Sequence, residues 1–267
     1  MKETSGVYNT MKKVRATKPL VHHLTNWVTI SECANATLCA GALPVMAHAS
    51  EEVEEMAKIA SALVLNIGTL TPEFVKSQIK AGHAANRKGI PVVLDPVGAG
   101  ATKLRTDSAR KILKETRVSV IKGNAGEVAT LAGVQAEVRG VESMGVKGDI
   151  EEIAKALAAS LGCVVVATGA VDRVTDGKRL FRVPNGHPKM GRVVGTGCMS
   201  SSVVGAFCAV EPDMALASAM AMTYFCIAGE VAAKKAEGPG TFKMHFFDAL
   251  ENMDEKTLKM LDRCEKV

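Results

Sequence analysis

Aromatic residues are scarce: the 267 residues include one Trp and two Tyr, and only 4% are aromatic. So few flat side chains leave little to stack on nucleobases. The 33 basic and 28 acidic residues are scattered without a block of one sign, and a formal charge of +5 with no basic stripe argues against a nucleic-acid partner. No CxxC pair occurs. The seven cysteines (Cys33, Cys39, Cys163, Cys198, Cys208, Cys226, Cys264) are odd in number and mostly embedded in apolar or Ala-rich runs. That pattern argues against a disulfide framework or zinc cluster and for reduced thiols that act as small hydrophobes, hence a cytoplasmic setting.

Long apolar runs are also missing. The N-terminal MKETSGVYNTMKKVRATKPL has charges but no apolar stretch behind them to serve as a signal-peptide core, and no apolar run reaches about 18 residues. The nearest approach, MALASAMAMTYFCIAG (214–229), is Ala-rich with Ser218 and Thr223 inside it, and reads as a helix buried in a globular fold rather than a membrane span. What is present is ordinary globular composition, 47% apolar and 23% charged, enough to bury a core as one domain over 1–267.

Short runs rich in Val, Ile and Leu recur: ALVLNI (62–67), IPVVLD (90–95), VSVI (118–121) and CVVVAT (163–168). Continuous runs of this kind are strands buried on both faces. Between them lie TPEFVKSQIKAGHAANRKG (71–89), TDSARKILKET (106–116) and DIEEIAKALAASLG (149–162), with apolar residues three or four apart and Thr, Asp or Gly at their ends. The alternation predicts an α/β fold with a parallel sheet flanked by helices. VDRVTDGKRLFRV (171–183) then predicts a hairpin around Asp176-Gly177. From Gly197 onward the composition is helical, closing on the charged amphipathic KTLKMLDRCEKV (256–267).

Four segments carry candidate chemistry. In GRVVGTGCMSSSVVGAF (191–207), Gly195, Thr196 and Gly197 precede small residues suited to a close-packed helix. The exposed amides and dipole of a helix start bind anions, phosphate above all; a plain helix entry is the other reading. In LDPVGAGATKLR (94–105), Asp95 ends a strand at the sheet edge where open α/β folds bind ligands, either holding hydrated Mg²⁺ or capping the next turn. In VIKGNAGEVATLAG (120–133), Asn124 and Glu127 have the spacing of a helix-capping pair and equally that of phosphate or metal ligands, with Lys122 as a cation beside them. In VATGAVDRVTDG (166–177), Thr168 and Gly169 end a strand, as a nucleotide contact or a tight turn. A Walker A loop is absent and GTGC follows a late segment, which argues against P-loop and Rossmann enzymes.

At GTGC, NAGE and LDPVGAG, and with PLVHHLTNWVTISECANATLCAGALPVMA (19–47), the chain resembles the ribokinase-like superfamily and, within it, the hydroxyethylthiazole kinases. The resemblance spans nearly the whole chain. It implies a three-layer α/β/α sandwich with a central, mainly parallel sheet, and a homotrimer with active sites at subunit interfaces. It also implies Mg²⁺-dependent transfer of the ATP γ-phosphoryl to 5-(2-hydroxyethyl)-4-methylthiazole in thiamine salvage. Carried over by motif, Met46, Gly195 and Asn26 would touch the thiazole; Lys122, Thr168 and Asn124 would contact ATP; Asp95 and Glu127 would manage Mg²⁺; Thr196, Gly197 and Cys198 would form the catalytic turn.

Many relatives in the superfamily place an Asp after these glycines as the base for the alcohol, whereas Cys198 stands here, as in the thiazole kinases. Lys122 stands where the family also has Arg. A thiol at a helix N-terminus can have its pKa lowered, making Cys198 a partial thiolate base; alternatively it lines the pocket while the proton leaves late to phosphate or water. The competing functions are a hydroxymethylpyrimidine or pyridoxal kinase, an ATP-dependent lyase that repairs hydrated nicotinamide nucleotides, and a non-catalytic nucleotide-binding subunit. GTGC in place of a GTGD-like ending disfavours the other kinases and the lyase, and ATP binding without turnover would reveal the binding subunit. His22 and His23 are adjacent on an extended segment and point to opposite sides, so at most one faces a site.

Overall fold

The computed structural model describes residues 6–134, 136–139, 142–146 and 148–267. The first half runs α1 (Val7–Thr17), β1 (Leu20–Leu24), α2 (Ile30–Cys39), β2 (Leu43–Val45), α3 (Val53–Ile59), β3 (Ala62–Asn66), α4 (Pro72–Lys88), β4 (Val92–Asp95), α5 (Lys103–Glu115), β5 (Val120–Asn124) and α6 (Ala125–Leu131). It continues with β6 (Ala136–Arg139), β7 (Glu142–Val146), α7 (Ile150–Leu161), β8 (Val164–Thr168), β9 (Asp172–Thr175), β10 (Leu180–Val183), α8 (Thr196–Cys208), α9 (Met214–Ala233), α10 (Pro239–Glu251), α11 (Glu255–Leu261) and β11 (Glu265–Lys266).

Local chemistry sets these boundaries. The Thr71 hydroxyl accepts from Phe74 N, Pro72 supplies a preset first turn, and Gly89 at φ 81° ends α4 in the left-handed conformation. One such N-cap is worth about 1 kcal/mol. The strand runs align into one nine-stranded sheet, ordered β11-β10-β9-β8-β5-β4-β3-β1-β2. From β2 to β8 all pairs are parallel, and β9, β10 and β11 add antiparallel pairs, the first two as the hairpin expected at Asp176-Gly177.

Side-chain alternation along each strand builds two cores. Val64, Val93, Val120 and Val166 face a layer of α1, α2, α8, α9, α10 and α11. Leu63, Leu65, Leu94, Ile121 and Val165 face α3 to α7. Each fully buried Val or Leu contributes about 1.5–3 kcal/mol. Helix α9 is apolar and long enough to cross a membrane, but it is mostly buried, with Tyr224, Phe225 and Ile227 inside the first core.

Small residues let α8 approach the sheet. A Cβ on Gly205 would lie 2.8 Å from Val64 Cγ2, so a larger side chain there would push α8 off β3 and displace everything at its N-terminus.

The end of the chain departs from its amphipathic pattern. Helix α11 stops at Leu261, Arg263 pairs with Glu230 at 2.6 Å, Cys264 is buried, and β11 pairs antiparallel with β10. The open backbone edge of β10 and the Glu230 carboxylate outcompete continued helix, and neither is visible from local periodicity.

Candidate active site

The same period of two that sorts the core residues continues to the strand ends. After Val64 and Leu65 comes Asn66; after Val93 and Leu94 comes Asp95; after Val120 and Ile121 comes Lys122. Each of the three falls on the α8 face of the sheet. Asn66 and Asp95 are register partners on parallel strands, as are Asn124 and Thr168.

Above this row α8 begins. Its N-cap, Gly195, has φ 89°, and a Cβ there would come within 2.6 Å of Thr29 Cγ2, so both conformation and space demand glycine. Thr196 Oγ1 donates to the carbonyls of Met190 and Val193, both at 2.9 Å, tying the turn to the preceding 3-10 segment Pro188–Arg192.

Asp95 is buried, and its Oδ2 accepts from Ser201 Oγ at 2.8 Å, Asn66 Nδ2 at 3.0 Å and Lys122 Nζ at 3.4 Å. Lys122 Nζ also donates to Gly197 O at 2.8 Å, pinning the first turn of α8 to β5. Cys198 Sγ accepts from Asn26 Nδ2 and Asn66 Nδ2, both at 3.3 Å. The structure therefore brings Asn26, Asp95, Lys122, Gly197 and Cys198 together.

Burial alone would lower the Lys122 ammonium pKa, but the Asp95 carboxylate, with Cys198 and Glu127, more than compensates and raises it, so the side chain stays charged. Burial pushes the Cys198 thiol up and Asp95 adds to the rise, outweighing Lys122 and the hydrogen bonds from Thr29 and Asn66. This corrects the expectation of a thiol lowered by its helix start: the position is as expected, but desolvation beside a carboxylate dominates. Glu127 is raised by burial and then by the charge of Asp95.

Two comparisons place the chain. The family model described as "Hydroxyethylthiazole kinase family" matches residues 11–256. The hydroxyethylthiazole kinase of Methanocella arvoryzae is 57% identical over 240 residues, covering 90% of each chain, and that of Thermoanaerobacter pseudethanolicus is 56% identical over 259 residues, covering 96% of this chain and 97% of its own. The chain belongs to the hydroxyethylthiazole kinase family. A solved structure of the hydroxyethylthiazole kinase protein from Pyrococcus horikoshii superimposes with TM-score 0.90 at 41% identity, covering 98% of both chains. The Bacillus subtilis pyridoxal kinase shares the ribokinase-like fold at TM-score 0.57 and 18% identity.

Other residues singled out by the family resemblance are distributed around this centre. Asn124 and Glu127 form the capping box their spacing allowed: Glu127 N donates to Asn124 Oδ1 at 3.0 Å and Asn124 N to Glu127 Oε2 at 2.8 Å. Glu127 Oε1 also accepts from Gly98 N at 2.7 Å, which aims the carboxylate at the loop after Asp95. Thr168 Oγ1 donates to Gly123 O at 3.2 Å. Met46 follows edge strand β2, with β1 between it and the Asn66–Asp95 pair. His22 and His23 do point opposite ways: His22 Nε2 bonds Ala47 O at 2.6 Å, and His23 bonds Val21 O and the Thr37 hydroxyl.

Three functional neighbours were missed. Asn66 is the one polar residue in the run ALVLNI, as Asp95 is in IPVVLD, a parallel that would have flagged it. Ser201 lay within a stretch of small residues, and its pairing to Asp95 depends on how α8 lands. Arg105 donates to the carbonyls of Ile67, Val97 and Gly68 at 3.1, 2.8 and 2.8 Å, stapling the loops after β3 and β4.

The donor set fits a hydrated Mg²⁺. All three donors to Asp95 converge on Oδ2 and, among the described residues, none reaches Oδ1, while Glu127, in the first turn of α6, is held against the loop after Asp95 by Gly98 N. Mg²⁺ keeps several waters and needs only one or two carboxylates beside its phosphates.

Proposed function

We propose that the chain transfers the γ-phosphoryl of ATP to the hydroxyl of 5-(2-hydroxyethyl)-4-methylthiazole, acting as one kinase domain over 1–267 in thiamine salvage. The observation that carries this reading is the convergence of Asn26, Asn66, Asp95, Lys122 and Cys198 beneath the first turn of α8. The alcohol oxygen bonds to the γ-phosphorus as the bond from that phosphorus to the β,γ-bridging oxygen breaks, and ADP leaves. Catalysis of a loose transition state is chiefly positioning and charge neutralisation. The free amides of the α8 start and the Lys122 ammonium face the developing negative charge, in the role of an anion site. Thr168 and Asn124 bind ATP beside Lys122.

Asp95 and, directly or through water, Glu127 would hold Mg²⁺, which would supply neutralisation of the phosphate charge. Met46, Gly195 and Asn26 contact the thiazole. Thr196 and Gly197 shape the catalytic turn. Cys198, a half-buried thiol whose pKa is raised, supports the alcohol while the alcohol proton leaves to a transferred phosphoryl oxygen or to water.

We further propose a homotrimer whose interfaces complete the sites. Exposed apolar side chains support this: Leu43 lies on edge strand β2, Leu38 on α2 against it, and Val28 and Val194 on the loops joined where Thr29 meets Gly195. The seven free thiols suit a cytoplasmic protein.

The direct test is mass-spectrometric detection of phosphorylated product after incubation with MgATP and, separately, hydroxyethylmethylthiazole, hydroxymethylpyrimidine and pyridoxal. Selective thiazole phosphorylation is expected. Phosphorylation of another alcohol overturns the pocket assignment, and no product from any of them favours a lyase or a silent binding subunit.

A further inference from the structure

We infer that Asn66 is a positioning residue: with Asn26 it holds the Cys198 sulfur as a hydrogen-bond acceptor and ties that sulfur to the Asp95 carboxylate. The inference deepens the reading above, since it takes Cys198 to face the alcohol.

The backbone settles which way each amide points. Asn66 Oδ1 accepts from Gly68 N at 2.9 Å, and a backbone N–H can only donate, so Nδ2 is the atom turned to the site. Its two hydrogens meet two acceptors, Asp95 Oδ2 at 3.0 Å and Cys198 Sγ at 3.3 Å. Asn26 is oriented the same way: Oδ1 accepts from Val28 N, Thr29 N and Thr29 Oγ1, each at 3.1 Å. The Asn26 Nδ2 hydrogens then go to Asn66 Oδ1 at 3.0 Å and Cys198 Sγ at 3.3 Å.

Two N–H donors thus converge on one sulfur, and each belongs to an amide with both ends engaged. The S–H of Cys198 must turn away from both amides, toward the Thr29 hydroxyl beside it or the alcohol oxygen. One NH₂ group serves both the thiol and the proposed metal carboxylate, so moving either acceptor disturbs the other. Gly68 makes this closure possible: a Cβ there would lie 2.9 Å from Asn26 Cβ and 3.0 Å from Asn66 Oδ1, between the two amides. Arg105 holds the Gly68 carbonyl from the far side at 2.8 Å.

The test combines kinetics with the infrared S–H stretching band of Cys198, isolated by subtracting the spectrum of the matching protein that also carries Cys198→Ala. Asn66→Ala is expected to shift the band and lower kcat on the order of 10- to 100-fold, with KM for ATP changing far less. In a Cys198→Ala background the same substitution should cost clearly less, because part of its effect runs through the sulfur. Gly68→Ala, which wedges the amides apart without removing a polar atom, should shift the band in the same sense, and it decides the matter if Asn66→Ala folds poorly. An unmoved band in both variants, or kcat losses that multiply independently with Cys198→Ala, overturns the inference. The preceding reading fails separately, if the thiazole alcohol leaves the wild-type band unmoved.

Discussion

Asn66 and Asp95 end adjacent parallel strands in register, and Asn66 Nδ2 lies 3.0 Å from Asp95 Oδ2. Two apolar runs that alternate between the cores thereby finish with an amide and a carboxylate on one face, under the helix that brings Cys198. The relationship explains why a site so polar survives inside the fold: nearly every buried polar atom here has a partner, as the low dielectric requires.

Replacing Cys198 by Ala should lower turnover, by at most about 10²-fold, the lower end of what a positioned general base contributes. Cys198→Asp should remain active, because the Asn26 and Asn66 amides that serve the sulfur can donate to a carboxylate. Steady-state kinetics with both variants check this. A Cys198→Ala enzyme that binds thiazole yet shows no turnover would make the thiol essential.

For the metal, Glu127→Gln should raise the Mg²⁺ concentration needed for half-maximal activity, roughly tenfold if one carboxylate of two is lost, in line with outer ligands at metal sites. Glu127 also accepts two backbone N–H bonds, so some loss of stability is expected alongside. A magnesium titration separates the two: a lower melting temperature with unchanged magnesium dependence would leave Glu127 as a helix cap alone.

Gly195→Ala places a side chain at φ 89° and against the Thr29 methyl group. The left-handed conformation alone costs about 1–2 kcal/mol, and the helix start must shift besides. A fall of several degrees in melting temperature is expected, with activity down at least tenfold through misplacement of the turn. Adding Thr29→Ser, which removes the methyl, should recover part of both losses. Wild-type melting and turnover in Gly195→Ala would refute the account.

Asp172, at the start of β9, gives a pH signature in stability. Burial lifts its carboxyl from the usual 3.8 to about 6, against the donors Gly169 N and Cys226 Sγ. The folded protein holds a proton there that the unfolded chain releases, so this contribution to stability is full below about 3.8 and is lost as pH rises through about 6. Asp172→Asn removes the dependence. Between about pH 5 and about pH 7.5 the variant should gain ~1 kcal/mol on the wild type in urea unfolding. Parallel pH profiles would contradict the buried proton.

Much of the fold was legible. ALVLNI, IPVVLD, VSVI and CVVVAT became β3, β4, β5 and β8, because doubly buried parallel strands need unbroken apolar runs. The helix between β3 and β4, the Asp176-Gly177 hairpin and the GTG helix start were also readable, since caps, turns and glycine conformations are local. Asp95 was found as a strand end, whereas Lys122, read as one, lies two residues before the end of β5. Asn66, Ser201 and Arg105 were not found, since each matters through a partner far along the chain: Ser201 bonds a residue 106 positions away and Arg105 one 38 away. The capping spacing of Asn124 and Glu127 was seen, but not that the spare oxygen of Glu127 takes Gly98 N.

The sequence by itself determined the alternation of buried strands and helices, the turns between them, and which residue types stand at the strand ends, because these follow from side-chain period and backbone preference within a few residues. Only the tertiary structure decided that those ends share a site. Asn26 meets Cys198 across 172 residues, a contact that exists once β1, β3, β4 and β5 lie side by side and α8 packs down through Gly205 onto β3. The same packing decided the state of the Cys198 thiol, since burial beside Asp95 raises it where a helix start alone would have lowered it.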